Sequence, residues 1–213
     1  MRRRQIATGG SKTFGVEATH SLAYRHNRTE IWNGNPPKKY TRLLPYIHGD
    51  RIVEIGAAEG VLALMLAARE GTLVAAVERH QHRHYEACRL KDRWRDLGLS
   101  VDRCRMVLGD IKDHIKLLDD ADTMVAIRCI YYFKNEIDRF MVEVSQRVRN
   151  VVLCGNPGRA RRFYAYKGKP PDKLGKYNFY SSVEGMSKLL QDHGYCIKTV
   201  VKDGDPIVVG VKE

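Results

Sequence analysis

The chain has 213 residues, 43% of them apolar, and carries 37 Lys/Arg against 25 Asp/Glu for a formal charge of +12. That length and composition suit one globular domain with a full hydrophobic core. No apolar run approaches the roughly 18 residues of a membrane span, and no apolar stretch follows the basic start Met1-Arg2-Arg3-Arg4-Gln5, so neither a span nor a signal peptide is expected.

The charge is unevenly placed. Residues 1–50 hold nine Lys/Arg against three Asp/Glu, residues 158–180 hold seven against one, and the remainder balances. Two basic margins around a neutral core favour an anionic partner, with two merely solvated faces as the alternative. Cys88, Cys104, Cys129, Cys154 and Cys196 are scattered without a Cys-x-x-Cys pair. They read as reduced thiols, which implies a cytoplasmic location and neither a zinc site nor an iron–sulfur cluster.

Residues 1–20 lack periodicity and contain Gly9-Gly10, so they read as a mobile arm preceding one domain over residues 21–213. Tyr24–Asn35 mixes aromatic and hydrogen-bonding residues. Pro36-Pro37 suits a helix start, and a short helix is expected over Lys38–Ile47. The Asn35-Pro36-Pro37 triplet lacks the following aromatic and preceding strand of an amino-methylating nucleic-acid enzyme, so it is assigned to helix initiation. Gly49-Asp50 turns the chain into the first strand.

That strand, Ile52-Val53-Glu54-Ile55, stops at Gly56-Ala57-Ala58-Glu59-Gly60, after which a helix-forming apolar run covers Val61–Arg69. A buried strand turning sharply into a helix on bare backbone suits a nucleotide-like ligand. The dinucleotide fingerprint fails, since its third and sixth places hold Ala58 and Val61, and no phosphate loop ends in Gly-Lys-Ser/Thr. The stretch resembles motif I (acidic-x-Gly-x-x-x-Gly) of the class I S-adenosylmethionine (SAM)-dependent methyltransferases through Glu54, Gly56 and Gly60, with Ala58 replacing a frequent central glycine. The resemblance implies SAM as cofactor, with Glu54 near its amino group and the backbone of Gly56, Ala57, Ala58 and Gly60 cradling it.

The second strand, Thr72–Val77, ends in Glu78, about 20 residues beyond the turn and placed to accept both ribose hydroxyls. Arg79 is expected beside the adenine edge. The charged helix over residues 79–97 carries His80, His82 and His84, but His82 points nearly opposite the other two, so a solvated surface is expected rather than a metal site. The third strand, Arg105–Leu108, closes at Gly109-Asp110-Ile111. By the resemblance, Asp110 bonds the adenine amino group and Ile111 packs on the ring; Asp110 also suits a helix cap.

The fourth strand, Asp122–Ile127, leads into Arg128-Cys129-Ile130-Tyr131-Tyr132-Phe133, which in the family faces the transferred methyl group. Arg128 is expected to point at an anionic acceptor or at the cofactor carboxylate. Tyr131 and Tyr132 either pack in the core or face the acceptor. His26 and Tyr131 are the candidate catalytic bases, and neither Cys129 nor Cys154 stands in the sequence context of a covalent cytosine methyltransferase. A helix over 135–147 and a strand over Val151–Cys154 follow.

The insertion Gly155–Tyr180 interleaves seven Lys/Arg with aromatic residues, and family topology would lay it over the acceptor mouth as a lid. Tyr132, Arg159, Arg161, Arg162, Tyr164 and Tyr166 are the candidate acceptor contacts, because guanidiniums fork onto phosphates or carboxylates and tyrosines stack on planar or sugar rings. A helix over 182–193 and a hairpin of Cys196–Lys202 with Pro206–Lys212, turned at Asp203-Gly204-Asp205, complete the chain.

The expected fold is therefore a three-layer α-β-α Rossmann-like sheet, seven-stranded and mostly parallel, with a C-terminal antiparallel hairpin. The expected function is that of an EC 2.1.1 type enzyme, moving a methyl group from SAM to an oxygen or nitrogen of a small or glycan-like anionic acceptor. RNA as acceptor and a non-catalytic SAM-binding partner subunit are the alternatives. The sequence assigns no oligomeric state.

Overall fold

The computed structural model describes residues 22–165 and 175–213. Seven strands form one sheet: β1 (Arg51–Ile55), β2 (Leu73–Glu78), β3 (Cys104–Leu108), β4 (Thr123–Ile127), β5 (Asn150–Cys154), β6 (Cys196–Val201) and β7 (Ile207–Val211). Their order is β3-β2-β1-β4-β5-β7-β6. The first five run parallel, and β7 lies antiparallel to both β5 and β6. This is the expected architecture, C-terminal hairpin included.

The layers follow from the period of two along each strand. Ile52, Val74, Val125 and Val152 face one way, into a core shared with α4 (Val61–Ala67) and with Leu90 and Trp94 of α5 (Gln81–Asp96). Val53, Val77, Met124 and Val151 face the other way, against α6 (Ile137–Arg147) and α8 (Val183–Asp192). Both faces being covered, the central strands read as nearly unbroken apolar runs. The edge strand β6 instead alternates half-buried and exposed residues.

Among the described residues three helices precede the sheet: α1 (Leu22–His26), α2 (Arg28–Trp32) and α3 (Lys38–Thr41). The indole of Trp94 donates to the Ile31 carbonyl at 2.7 Å, tying α2 to α5. Pro37 caps α3 in extended conformation, as expected of a helix start. The single helix expected over Lys38–Ile47 is broken into α3 and a 3-10 turn at Leu44–Tyr46. Pro45 has no N–H to give to the Thr41 carbonyl, so the α-helix ends there. Arg69 then fixes this segment by donating to the carbonyls of Ile47 at 2.7 Å and Leu44 at 2.6 Å.

Within the insertion, α7 (Pro157–Ala165) leaves the end of β5, and a 3-10 segment at Gly175–Ser181 returns the chain to α8. Tyr166 lies outside the described residues, as does the arm over residues 1–20. The returning segment lies against bare backbone at Gly155 and Gly185, where an added Cβ would drive into the carbonyls of Ser181 and Phe179. No helix among the described residues is long and apolar enough to cross a membrane.

Candidate active site

Chain order runs outward from β1 on both sides, β2 and β3 one way and β4 and β5 the other, so the sheet reverses between β1 and β4. Loops leaving the carboxyl ends of these strands diverge there, which is where open α/β sheets hold ligands. A cleft of about 390 Å³ occupies this place.

Its floor is the loop after β1. Gly56 (φ 65°), Ala58 (φ 52°) and Gly60 (φ 71°) all take left-handed conformations. A side chain at Gly56 would meet the Cys129 Cβ at 2.9 Å, so only bare backbone fits beside the turn after β4. The amides of Gly56 and Ala57 both donate to the Val77 carbonyl, at 2.9 and 3.1 Å, bending the loop toward β2. Ala58 holds a conformation that costs a residue with a Cβ roughly 1–2 kcal/mol. Its N–H is fixed by Glu78, whose Oε2 accepts it at 2.8 Å.

Glu78, at the end of β2, is buried and also accepts the His80 N–H at 2.8 Å. An ionised carboxylate has about four lone-pair sites, so two remain for a further ligand. The carboxyl of Glu54 is buried against the first turn of α4. Burial, and secondarily the charge of Glu78, push its pKa up to about 8, while a backbone bond from Ala63 pulls the other way. Glu54 Oε2 has no hydrogen-bond partner among the described residues.

The far wall is Asp110-Ile111. Asp110 caps the 3-10 segment that begins at Ile111 by accepting the Lys112 N–H at 3.0 Å, so the capping role expected of it is realised, and its side chain also lines the cleft. Ile111 is buried and lines it too, while Arg79 stands exposed at the rim. Beyond β4, Arg128 (φ 51°) turns its guanidinium to Asp205, of the β6–β7 turn, in an ion pair. The Cys129 thiol donates to the Ile55 carbonyl at 3.1 Å, and burial pushes its pKa far up, which disfavours a thiolate nucleophile.

All ten residues proposed for the cofactor except Gly60 therefore line one cleft. Gly60 instead caps α4 behind the loop, where a Cβ would meet the Met106 methyl at 2.8 Å. Neither candidate base lines the cleft. His26 is exposed on α1 and does not line the cleft, because α1 packs with α2 on the side of α5. Tyr131 is 2% exposed and outside the lining, and burial pushes its phenol well above its usual range, so its hydroxyl keeps its proton.

Of the acceptor candidates, Tyr132 lines the cleft. Arg159 lies behind it, 4.7 Å over the Tyr131 ring and 5.6 Å over that of Tyr132, and donates to Asn178 at 3.2 Å. This stack joins α7 and the returning segment to the end of β4. Arg161 and Arg162 are exposed on α7 and do not reach the cleft, and Tyr164 donates to Glu184 at 2.9 Å instead.

Sequence reasoning missed Lys39, Tyr40 and Asp205, which close the cleft from α3 and the β6–β7 turn. Their signals were present as the basic pair after Pro37 and as two aspartates around Gly204, but each pattern also describes an ordinary helix start and an ordinary hairpin turn.

No protein-family model matches this sequence, and no curated protein does. Solved structures do match it in shape. Magnesium protoporphyrin IX methyltransferase (ChlM) from Synechocystis PCC 6803, with bound SAM, superposes at TM-score 0.58 and 14% identity over 96% of this chain and 87% of its own. The N-terminal domain of EvdMO1, with S-adenosylhomocysteine (SAH) bound, gives 0.56 and 14% over 83% and 80%. The mitomycin 7-O-methyltransferase MmcR gives 0.58 and 16% over 90% of this chain and 56% of its own. The chain thus has the fold of the class I SAM-dependent methyltransferases.

Proposed function

We propose that this protein is a SAM-dependent methyltransferase acting on an oxygen or nitrogen of a small or glycan-like anionic acceptor. One observation carries the reading: a buried, unpartnered carboxyl oxygen on Glu54 and a half-satisfied carboxylate on Glu78 flank a loop that admits only backbone at Gly56. A buried polar atom without a partner is costly, and an ammonium group supplies what Glu54 lacks. The two free acceptor sites of Glu78 suit a vicinal diol, and Asp110 with Ile111 suits an amino-bearing aromatic ring. These residues fit the cofactor's amino acid, ribose and adenine in that order along the cleft.

Bound there, SAM supplies an electrophilic methyl group. The protein's own part is to hold that group beside the turn after β4 and to align an acceptor against it. Positioning of this kind is worth roughly 7–11 kcal/mol in favourable intramolecular models. Neither His26 nor Tyr131 lines the cleft, so positioning rather than either of these side chains carries the proposed transfer.

Calorimetric titration with SAH tests the reading. Wild type should bind one equivalent, and Glu78→Ala should lose two charge-assisted hydrogen bonds, each worth about 1.5–3 kcal/mol. Unchanged affinity in Glu78→Ala would remove the ribose assignment, and no heat with wild type would remove the cofactor. RNA is the second reading, favoured by the exposed guanidiniums of Arg161 and Arg162 on α7. It predicts affinity for a short single-stranded RNA that falls steeply with salt and weakens in Arg161→Ala/Arg162→Ala.

A further inference from the structure

A second cavity, of about 240 Å³, adjoins the cleft on the side away from Glu78. It lies between α3 and the carboxyl ends of β4 and β5, and the β6–β7 turn closes it. Lys39, Arg42 and Arg128 put three cations on its wall, against the single carboxylate of Asp205. Lys39, Leu43, Arg128 and Asp205 border both spaces, so a molecule anchored in the smaller one extends directly toward the turn after β4.

The arrangement is built rather than incidental. Arg128 takes a left-handed backbone, and its N–H donates to the Cys154 carbonyl at 2.7 Å, which fixes the side chain between the two strand ends. Its guanidinium pairs with Asp205, yet its buried Nε has no partner among the described residues. Arg42 is laid along the β6–β7 turn by donation to the Asp203 carbonyl. Burial, and next the charge of Arg128, lower the Lys39 pKa, so an anion beside it would relieve a desolvated ammonium.

Resting on the methyltransferase reading, we propose that this cavity anchors the methyl acceptor by a phosphomonoester dianion held against Lys39, Arg42 and Arg128. Three cations and one aspartate leave a surplus of two positive charges, which a dianion neutralises and a carboxylate does not. Asp205 acts as a resident counter-ion for Arg128. The anion-binding role expected of Arg161 and Arg162 thereby passes to Lys39 of α3, to Arg42 that caps it, and to Arg128 in the turn after β4.

The test is titration of inorganic phosphate into the full-length protein with and without saturating SAH, followed by calorimetry, with acetate as a parallel arm. One phosphate should bind per SAH-loaded chain. Arg42→Gln and Lys39→Met should each weaken it about tenfold or more, with SAH affinity unchanged in Arg42→Gln. Asp205→Asn should tighten it, a gain that misfolding does not produce.

Acetate binding as tightly as phosphate would overturn the dianion. Mutual displacement of phosphate and SAH would overturn the acceptor role, because the cations would then belong to the cofactor's carboxylate. SAH binding with no saturable phosphate binding would remove the proposal and leave the methyltransferase reading standing. Phosphate binding with no SAH binding would remove that reading and the acceptor role with it.

Discussion

Replacing Glu54 by glutamine keeps the shape and removes the titratable proton at the most desolvated carboxyl in the cleft. Its folded pKa is raised from 4.5 to about 8, with burial as the first cause. The sign follows from linkage: a raised folded pKa contributes stability that is fully present below about 4.5 and lost as pH rises toward 8. At pH 7 the unfolded chain carries an ionised Glu54 and the folded chain a protonated one. Folding must therefore take up a proton over some 2.5 pH units, at 1.36 kcal/mol each, a cost of about 3 kcal/mol. The uncharged amide of the Glu54→Gln variant escapes that cost.

Glu54→Gln should accordingly melt higher than wild type at pH 7–8, by roughly 6–12 °C for a chain of this size, and the two should converge near pH 4.5. The same substitution should weaken SAH by about 10- to 100-fold, the worth of one charge-assisted hydrogen bond. In wild type, SAH binding near neutral pH should release a proton, seen as a binding enthalpy that changes with the ionisation heat of the buffer. Parallel melting curves for wild type and variant from pH 4.5 to 8 would refute the reasoning, because Glu54 would then not titrate between the two states.

Ala58→Gly relieves a left-handed alanine and should stabilise the protein by up to about 1 kcal/mol, part of the relief being offset by the greater freedom of unfolded glycine; chemical denaturation measures it, and destabilisation would contradict the strain. Gly155→Ala drives a Cβ into the Ser181 carbonyl and should displace the 175–181 segment, raising protease cleavage around it while SAH affinity holds. Alkylation at pH 7.5, followed by mass spectrometry, should modify exposed Cys196 first and buried Cys104 and Cys154 with half-buried Cys129 last, burial having raised the thiol pKa of those three. Early modification of Cys129 would mean that the loop after β1 opens.

The fold was legible because its signals are local and repeated. Each parallel strand is an apolar run closed by a glycine or a charged residue, and the hairpin is turned by Asp203-Gly204-Asp205, so strand edges fell within one or two residues of the structure. The helix expected over Lys38–Ile47 from the Pro36-Pro37 start breaks at Pro45, which has no N–H to continue it. Helices α1 and α2 were not legible at all. They are five residues each, too short to hold themselves in water, and they stand because Trp94 and the core of α5 receive Tyr24 and Ile31.

The site divided along the same line. Residues of the strand-end loops come together in one cleft because a bare-backbone turn and an acidic strand end are constraints of sequence spacing. His26, Tyr131, Arg161 and Arg162 stand away from the cleft, because which side chain faces inward is not set by local spacing. Positive charge in 158–180 marked a basic segment, but α7 turns Arg161 and Arg162 to solvent and spends Arg159 on the rings of Tyr131 and Tyr132. Lys39 and Arg42, no more prominent in sequence than their neighbours, face a cavity because Arg69 clamps the turn that follows them. Net charge reports that an anion is attracted; which cations meet it depends on long-range contacts such as this clamp, made by a residue more than twenty positions further along the chain.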